Sequence, residues 1–104
     1  MSSLEISMLK NKVIEYITTN LKDFNAFDNV YLFGSVLSED LYPKDIDLLL
    51  VYSQHSNQLL NNIHLIRSNL QNEFKETIDL TVLSFDELEE TDFLRRIKQY
   101  YQLK

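Results

Sequence analysis

The chain of 104 residues has no cysteine, which excludes disulfides and thiolate-ligated metal sites and is compatible with a reducing compartment. Positive charge is scarce: ten Lys and Arg against sixteen Asp and Glu leave a formal charge of −6. That balance lacks the basic footprint needed to hold duplex nucleic acid, so direct duplex binding is not expected. Long hydrophobic runs are missing as well. The longest, Leu48 to Tyr52, falls far short of the roughly 20 residues of a membrane-spanning helix. The start, Met1-Ser2-Ser3-Leu4-Glu5-Ile6, carries no basic segment followed by an apolar core of signal-peptide length. A cytoplasmic protein without membrane contact is therefore expected. No repeat, linker or low-complexity tract interrupts the sequence, and its length predicts one domain over residues 1–104.

Glycine and proline occur once each. A glycine used once marks a place where the backbone must turn sharply or approach a ligand closely. Gly34 follows the apolar run Val30-Tyr31-Leu32-Phe33, which reads as a buried strand, and precedes Ser35. A strand ending in Gly-Ser and turning into a short helix presents backbone N–H groups, and phosphate is their usual occupant. Nine residues after Ser35 come Asp45-Ile46-Asp47, which open a second strand, to about Tyr52, that becomes continuously apolar, as in the middle of a covered sheet. Alternation along that strand puts both aspartates on one face, roughly 6.5 to 7 Å apart, and sends Ile46 to the core. Two carboxylates sharing a small volume resist joint ionisation unless a cation joins them, and magnesium prefers oxygen donors completed by substrate phosphates. Farther on, Thr77-Ile78-Asp79-Leu80-Thr81-Val82 reads as a third strand with one carboxylate. Lying beside the second strand, it would add Asp79 to a three-carboxylate site able to hold two metal ions about 3.5 to 4 Å apart.

These residues, Leu32-Phe33-Gly34-Ser35, then Asp45-Ile46-Asp47, then a lone Asp79, resemble the nucleotidyltransferase superfamily that includes DNA polymerase beta, and the short length resembles its minimal members, the MNT proteins. The resemblance implies the nucleotidyltransferase fold, an α/β arrangement with a small mixed sheet and helices packed on it, and a metal-dependent transfer of AMP from ATP to a hydroxyl. It further implies Asp45, Asp47 and Asp79 as metal ligands and catalytic residues, and Gly34 and Ser35 as triphosphate contacts. The expected cofactor is Mg2+, as two ions, with ATP as substrate. The expected partner is a HEPN-type toxin encoded nearby, whose tyrosine is AMPylated by the MNT antitoxin. The chain departs from the pattern in one respect. No arginine follows Gly34-Ser35, and Glu39 and Asp40 make the approach to the triphosphate less positive, with Lys44 supplying part of the missing charge. The alternative function is a catalytically weak domain of the same fold that neutralises its partner by binding alone.

The remaining chain predicts the order αβ(α)βαβα. Leu9, Val13, Ile17 and Leu21 recur every four residues as the stripe of a first helix. Tyr42-Pro43 marks a turn ahead of the second strand. Leu59, Ile63, Ile66, Leu70 and Phe74 form the stripe of a crossover helix, which lets the third strand run parallel to the second. Ser84-Phe85-Asp86-Glu87 is a capping box opening a last helical region with Leu94, Ile97 and Tyr101 on one face. Blander readings compete with each assignment: a wet edge strand for the aspartate pair, a simple turn for Gly34-Ser35, a surface carboxylate for Asp79. His55 and His64 have no metal-ligand spacing, and Arg95 and Arg96 fit a solvated face. Tyr100 and Tyr101 divide between core and surface, where an aromatic residue can also anchor a partner.

Overall fold

A computed structural model describes residues 3–37 and 45–104. Lys44, Glu39, Asp40 and the Tyr42-Pro43 turn lie outside the described residues. Helix α1 (Ser3–Thr19) leads through a short 3-10 turn (Leu21–Phe24) to strand β1 (Asn29–Phe33), and a second 3-10 turn (Gly34–Val36) follows at once. Strand β2 (Asp45–Tyr52), helix α2 (Leu59–Phe74), strand β3 (Thr77–Ser84), helices α3 (Phe85–Thr91) and α4 (Phe93–Ile97), and strand β4 (Tyr100–Gln102) complete the chain. The sheet has the order β3-β2-β1-β4, with β2 and β3 parallel and β1 antiparallel to both β2 and β4. This is the mixed α/β arrangement expected, with β2 hydrogen-bonded on both sides and so not at an edge.

Strand alternation divides the apolar residues between two faces. Val30, Leu32, Ile46, Leu48, Leu50 and Ile78 point to one face and pack against Val13 and Ile17 of α1 and Ile66 and Leu70 of α2, with Phe24 and Phe27 closing the end. Removing each such side chain from water contributes about 1.5 to 3 kcal/mol, which is why the four-residue spacing in α1 and α2 fixes their buried stripes. Tyr31, Leu49 and Val51 point to the opposite face, where the cover is thinner: Leu83 and, from the two short helices, Leu88, Phe93 and Leu94. Asp45 and Asp47 belong to this second face by parity and are partly buried there.

The end of the chain differs from the expected helix. The spacing of Leu94, Ile97 and Tyr101 suits a continuing helical stripe, yet α4 stops at Ile97, and Lys98 takes φ 64°, ψ −47° to turn the backbone. Tyr100–Gln102 then pairs with β1, with Tyr31 opposite Gln102 and Phe33 opposite Tyr100. A bare β1 would leave a row of backbone donors and acceptors unpaired, and satisfying them outweighs one more helical turn. The lock extends further: Leu103 N donates to Val30 O at 2.7 Å, and Lys104 Nζ donates to Phe27 O at 2.7 Å and Phe24 O at 3.2 Å. The capping box of α3 forms as expected, Glu87 N donating to Ser84 Oγ at 3.1 Å and Ser84 N to Glu87 Oε1 at 2.9 Å.

Candidate functional site

Because β1 and β2 are antiparallel, the turn at Gly34-Ser35 leaves the sheet beside the point where β2 begins; Phe33 is directly opposite Asp47. Because β2 and β3 are parallel, the crossover through α2 brings Asp79 directly opposite Asp47 on the other side. Asp45, Asp47 and Asp79 each offer a carboxylate oxygen, and these oxygens all lie within 4.8 Å of one another. Asp79 is exposed at the rim, while Asp45 and Asp47 are partly buried. The three acidic residues picked from the sequence therefore converge, as do Gly34 and Ser35.

Asp47 is the pivot. Burial, then the charges of Asp79 and Asp45, then a side-chain hydrogen bond with Asp79, push its pKa up from 3.8 to about 6, partly offset by the Ser35 backbone N–H donating to it. Carboxylates this close resist simultaneous ionisation, so Asp47 keeps its proton to higher pH than an ordinary carboxyl does. The backbone amide of Ser35, expected at a phosphate, serves the Asp47 carboxylate here. The Ser35 hydroxyl reaches the Asp45 carbonyl at 3.4 Å.

Gly34 has φ +83°, and a Cβ built on it would overlap Asp47 Oδ2 and lie 2.8 Å from its Cγ. The glycine is thus required twice, by backbone conformation and by the close passage of the Asp47 side chain. Spacing alone suggests only the first reason. The 3-10 turn after it is three residues long, and Leu37 N closes it on Gly34 O at 3.0 Å. His55 and His64 are exposed, and Arg95 pairs with Asp92 at 3.5 Å on the surface, so none of them joins the site. The sequence pattern missed what lies on the other side of Asp47: Phe33 and Tyr100 continue the row on β1 and β4. That extension is legible only from the strand register.

The profile of the polymerase beta, nucleotidyltransferase family matches residues 11–100, nearly the whole chain. The chain belongs to that family. No curated protein matches it in sequence. Among solved structures it is similar to a chain of the complex of tri-AMPylated Shewanella oneidensis HEPN toxin with MNT antitoxin, with a TM-score of 0.53 and 18% identity over 95% of this chain and 71% of that one. It is also similar to a protein of Sulfolobus solfataricus described as a nucleotidyltransferase, with a TM-score of 0.52 and 20% identity over 98% of this chain and 86% of that one. At such identities the likeness is one of fold.

The nucleotidyltransferase donor set suits a hard divalent cation. Its three converging carboxylates offer oxygen only, burial and the neighbouring charges raise the pKa of Asp47 to about 6, and a cation at that point would relieve the repulsion. Among the described residues, no helix is long and apolar enough to cross a membrane.

Proposed function

We propose that this nucleotidyltransferase moves AMP from ATP onto a hydroxyl, the acceptor being a tyrosine of a HEPN-type toxin, and that it acts as the antitoxin of the pair. The observation that carries the chemistry is the convergence of Asp45, Asp47 and Asp79 beside the Gly34 turn. The partner is supported by the likeness to a chain of the HEPN toxin and MNT antitoxin complex.

Asp45, Asp47 and Asp79 would hold Mg2+, which when bound offsets the charge of the carboxylates and triphosphate and favours attack at phosphorus. Gly34 and Ser35 would contact the triphosphate, the Ser35 amide passing from the Asp47 carboxylate to a phosphate oxygen once a cation holds Asp47. The incoming hydroxyl oxygen bonds to the α-phosphorus as the bond to the β-phosphate oxygen breaks, and pyrophosphate departs. Asp79, exposed at the rim, would meet the acceptor, as ligand or as base for its proton. Lys44 is proposed to add positive charge near the phosphates.

The test is to incubate the chain with a HEPN-type toxin, ATP and magnesium, then measure the toxin's intact mass. A gain of AMP that disappears in Asp45→Asn/Asp47→Asn supports transfer. A partner that stays unmodified yet is inhibited would replace this reading with neutralisation by contact alone.

A further inference from the structure

The register places four residues in one line across the sheet, Asp79 on β3, Asp47 on β2, Phe33 on β1 and Tyr100 on β4, each directly opposite the next. Directly paired residues share a face, so the acidic site runs without interruption into an aromatic strip. The strip is built rather than incidental. Tyr100 stands edge-to-face on Tyr31 with ring centroids 5.4 Å apart, and Phe33 does the same with Phe93 of α4 at 5.5 Å. Tyr31, the diagonal neighbour of Tyr100 on the same face, is buried and gives its ring a fixed wall, while Tyr100 keeps 44% of its surface exposed. An exposed aromatic ring held against a buried neighbour has less rotamer freedom left to lose, which favours stacking of a ligand on it.

Adjacent strands are about 4.8 Å apart, so Tyr100 lies about 9.6 Å from Asp47 across the sheet. A nucleotide with its reacting phosphate over the carboxylates has its base one ribose away, and in this direction the sheet offers first Phe33 and then Tyr100. Aromatic rings take any base by stacking, because each base has a π face. Arg96 in the last turn of α4 and Lys98 just after it bring some positive charge toward this edge of an acidic protein, which suits an anionic ligand.

We infer that Tyr100, braced by Tyr31 and flanked by Phe33, is the stacking platform for the base of the nucleoside triphosphate, and so a specificity-determining residue of the site. The inference rests on the proposed nucleotide transfer. It commits the base to the β4 side of Asp47, opposite to Asp79, which leaves the Asp79 side open to the acceptor. Stacking without a donor and acceptor frame favours purines, with their larger rings, over pyrimidines and separates ATP from GTP weakly.

Calorimetric titration with Mg-ATP and, as a probe without a base, Mg-tripolyphosphate separates the possibilities. The intact chain binds ATP more tightly than tripolyphosphate. Tyr100→Ala weakens ATP binding about tenfold and leaves tripolyphosphate unaffected. Tyr100→Phe, which keeps the ring, restores the ATP preference, and Tyr100→Leu, which keeps apolar cover for Tyr31 but no ring, does not, so a general loss of β4 packing is told apart from loss of stacking. Equal ATP affinity in the intact chain and Tyr100→Ala overturns the platform and assigns the exposed ring to some other use, such as contact with the partner protein. Failure of the intact chain to bind either probe strikes instead at the nucleotide-transfer reading itself.

Discussion

Gly34→Ala is expected to destabilise the chain by about 3 kcal/mol, and most of that cost should depend on Asp47. Two contributions can be separated. A non-glycine residue at φ +83° costs about 1 to 2 kcal/mol through its own Cβ. The rest arises because the new methyl overlaps the Asp47 carboxylate, which must leave its rotamer, at about 0.5 to 1.5 kcal/mol. It must also give up the amide of Ser35, a charge-assisted hydrogen bond of about 1 kcal/mol or more at a partly exposed position. In an Asp47→Ala background the overlap with Oδ2 and Cγ vanishes, and only the Cβ of residue 47, 3.1 Å away, remains to shift slightly. Gly34→Ala should then cost about 1 to 2 kcal/mol, a coupling of about 1.5 to 2.5 kcal/mol between the two positions. Urea unfolding of the four proteins in EDTA, compared at equal m-values, measures it. Additive costs within about 0.4 kcal/mol would refute the claim that the glycine is needed for the passage of Asp47.

Further outcomes follow from the same structure. In metal-free buffer the folded pKa of Asp47 lies near 6, above its ordinary 3.8, so the folded state keeps a proton that the unfolded chain has lost between those values. The contribution of Asp47 to stability is therefore greatest below the lower value and is lost as pH rises through about 6; Asp47→Asn should melt higher than the unaltered chain at pH 8 and lose that advantage near pH 4, as read by thermal scans. Lys98→Gly should raise the urea midpoint by the equivalent of about 1 kcal/mol, because Lys98 holds φ 64° without being glycine. Ser84→Ala should lower it by about 1 kcal/mol through loss of the α3 cap.

The site was legible in the sequence because its parts are local or one crossover apart. Gly34, Ser35, Asp45 and Asp47 sit on either side of one strand-to-strand connection, and the apolar run Leu48 to Val51 announces a covered central strand on which Asp45 and Asp47 must share a face. Asp79 followed from a helix long enough to carry β3 back parallel. Strand β4 was not legible. Leu94, Ile97 and Tyr101 fit a helical period, three strand residues are too few to show alternation, and the turn at Lys98 uses neither glycine nor proline. What decides the matter is the open edge of β1, a property of the assembled sheet. The aromatic strip beside Asp47 was hidden for the same reason, since Tyr100 meets Phe33 only through that pairing. The raised pKa of Asp47 comes from its burial and from the approach of Asp79 and Asp45, against the pull of the Ser35 amide, none of which spacing encodes.

The most direct test is paramagnetic broadening of backbone amide signals by substoichiometric Mn2+, followed residue by residue. A divalent-cation site made by Asp45, Asp47 and Asp79 requires broadening centred on residues 34–35, 45–47 and 79, abolished by Asp47→Asn. Broadening centred instead on the acidic helix α3, with Asp86, Glu87, Glu89 and Glu90, and unchanged by Asp47→Asn, would contradict it.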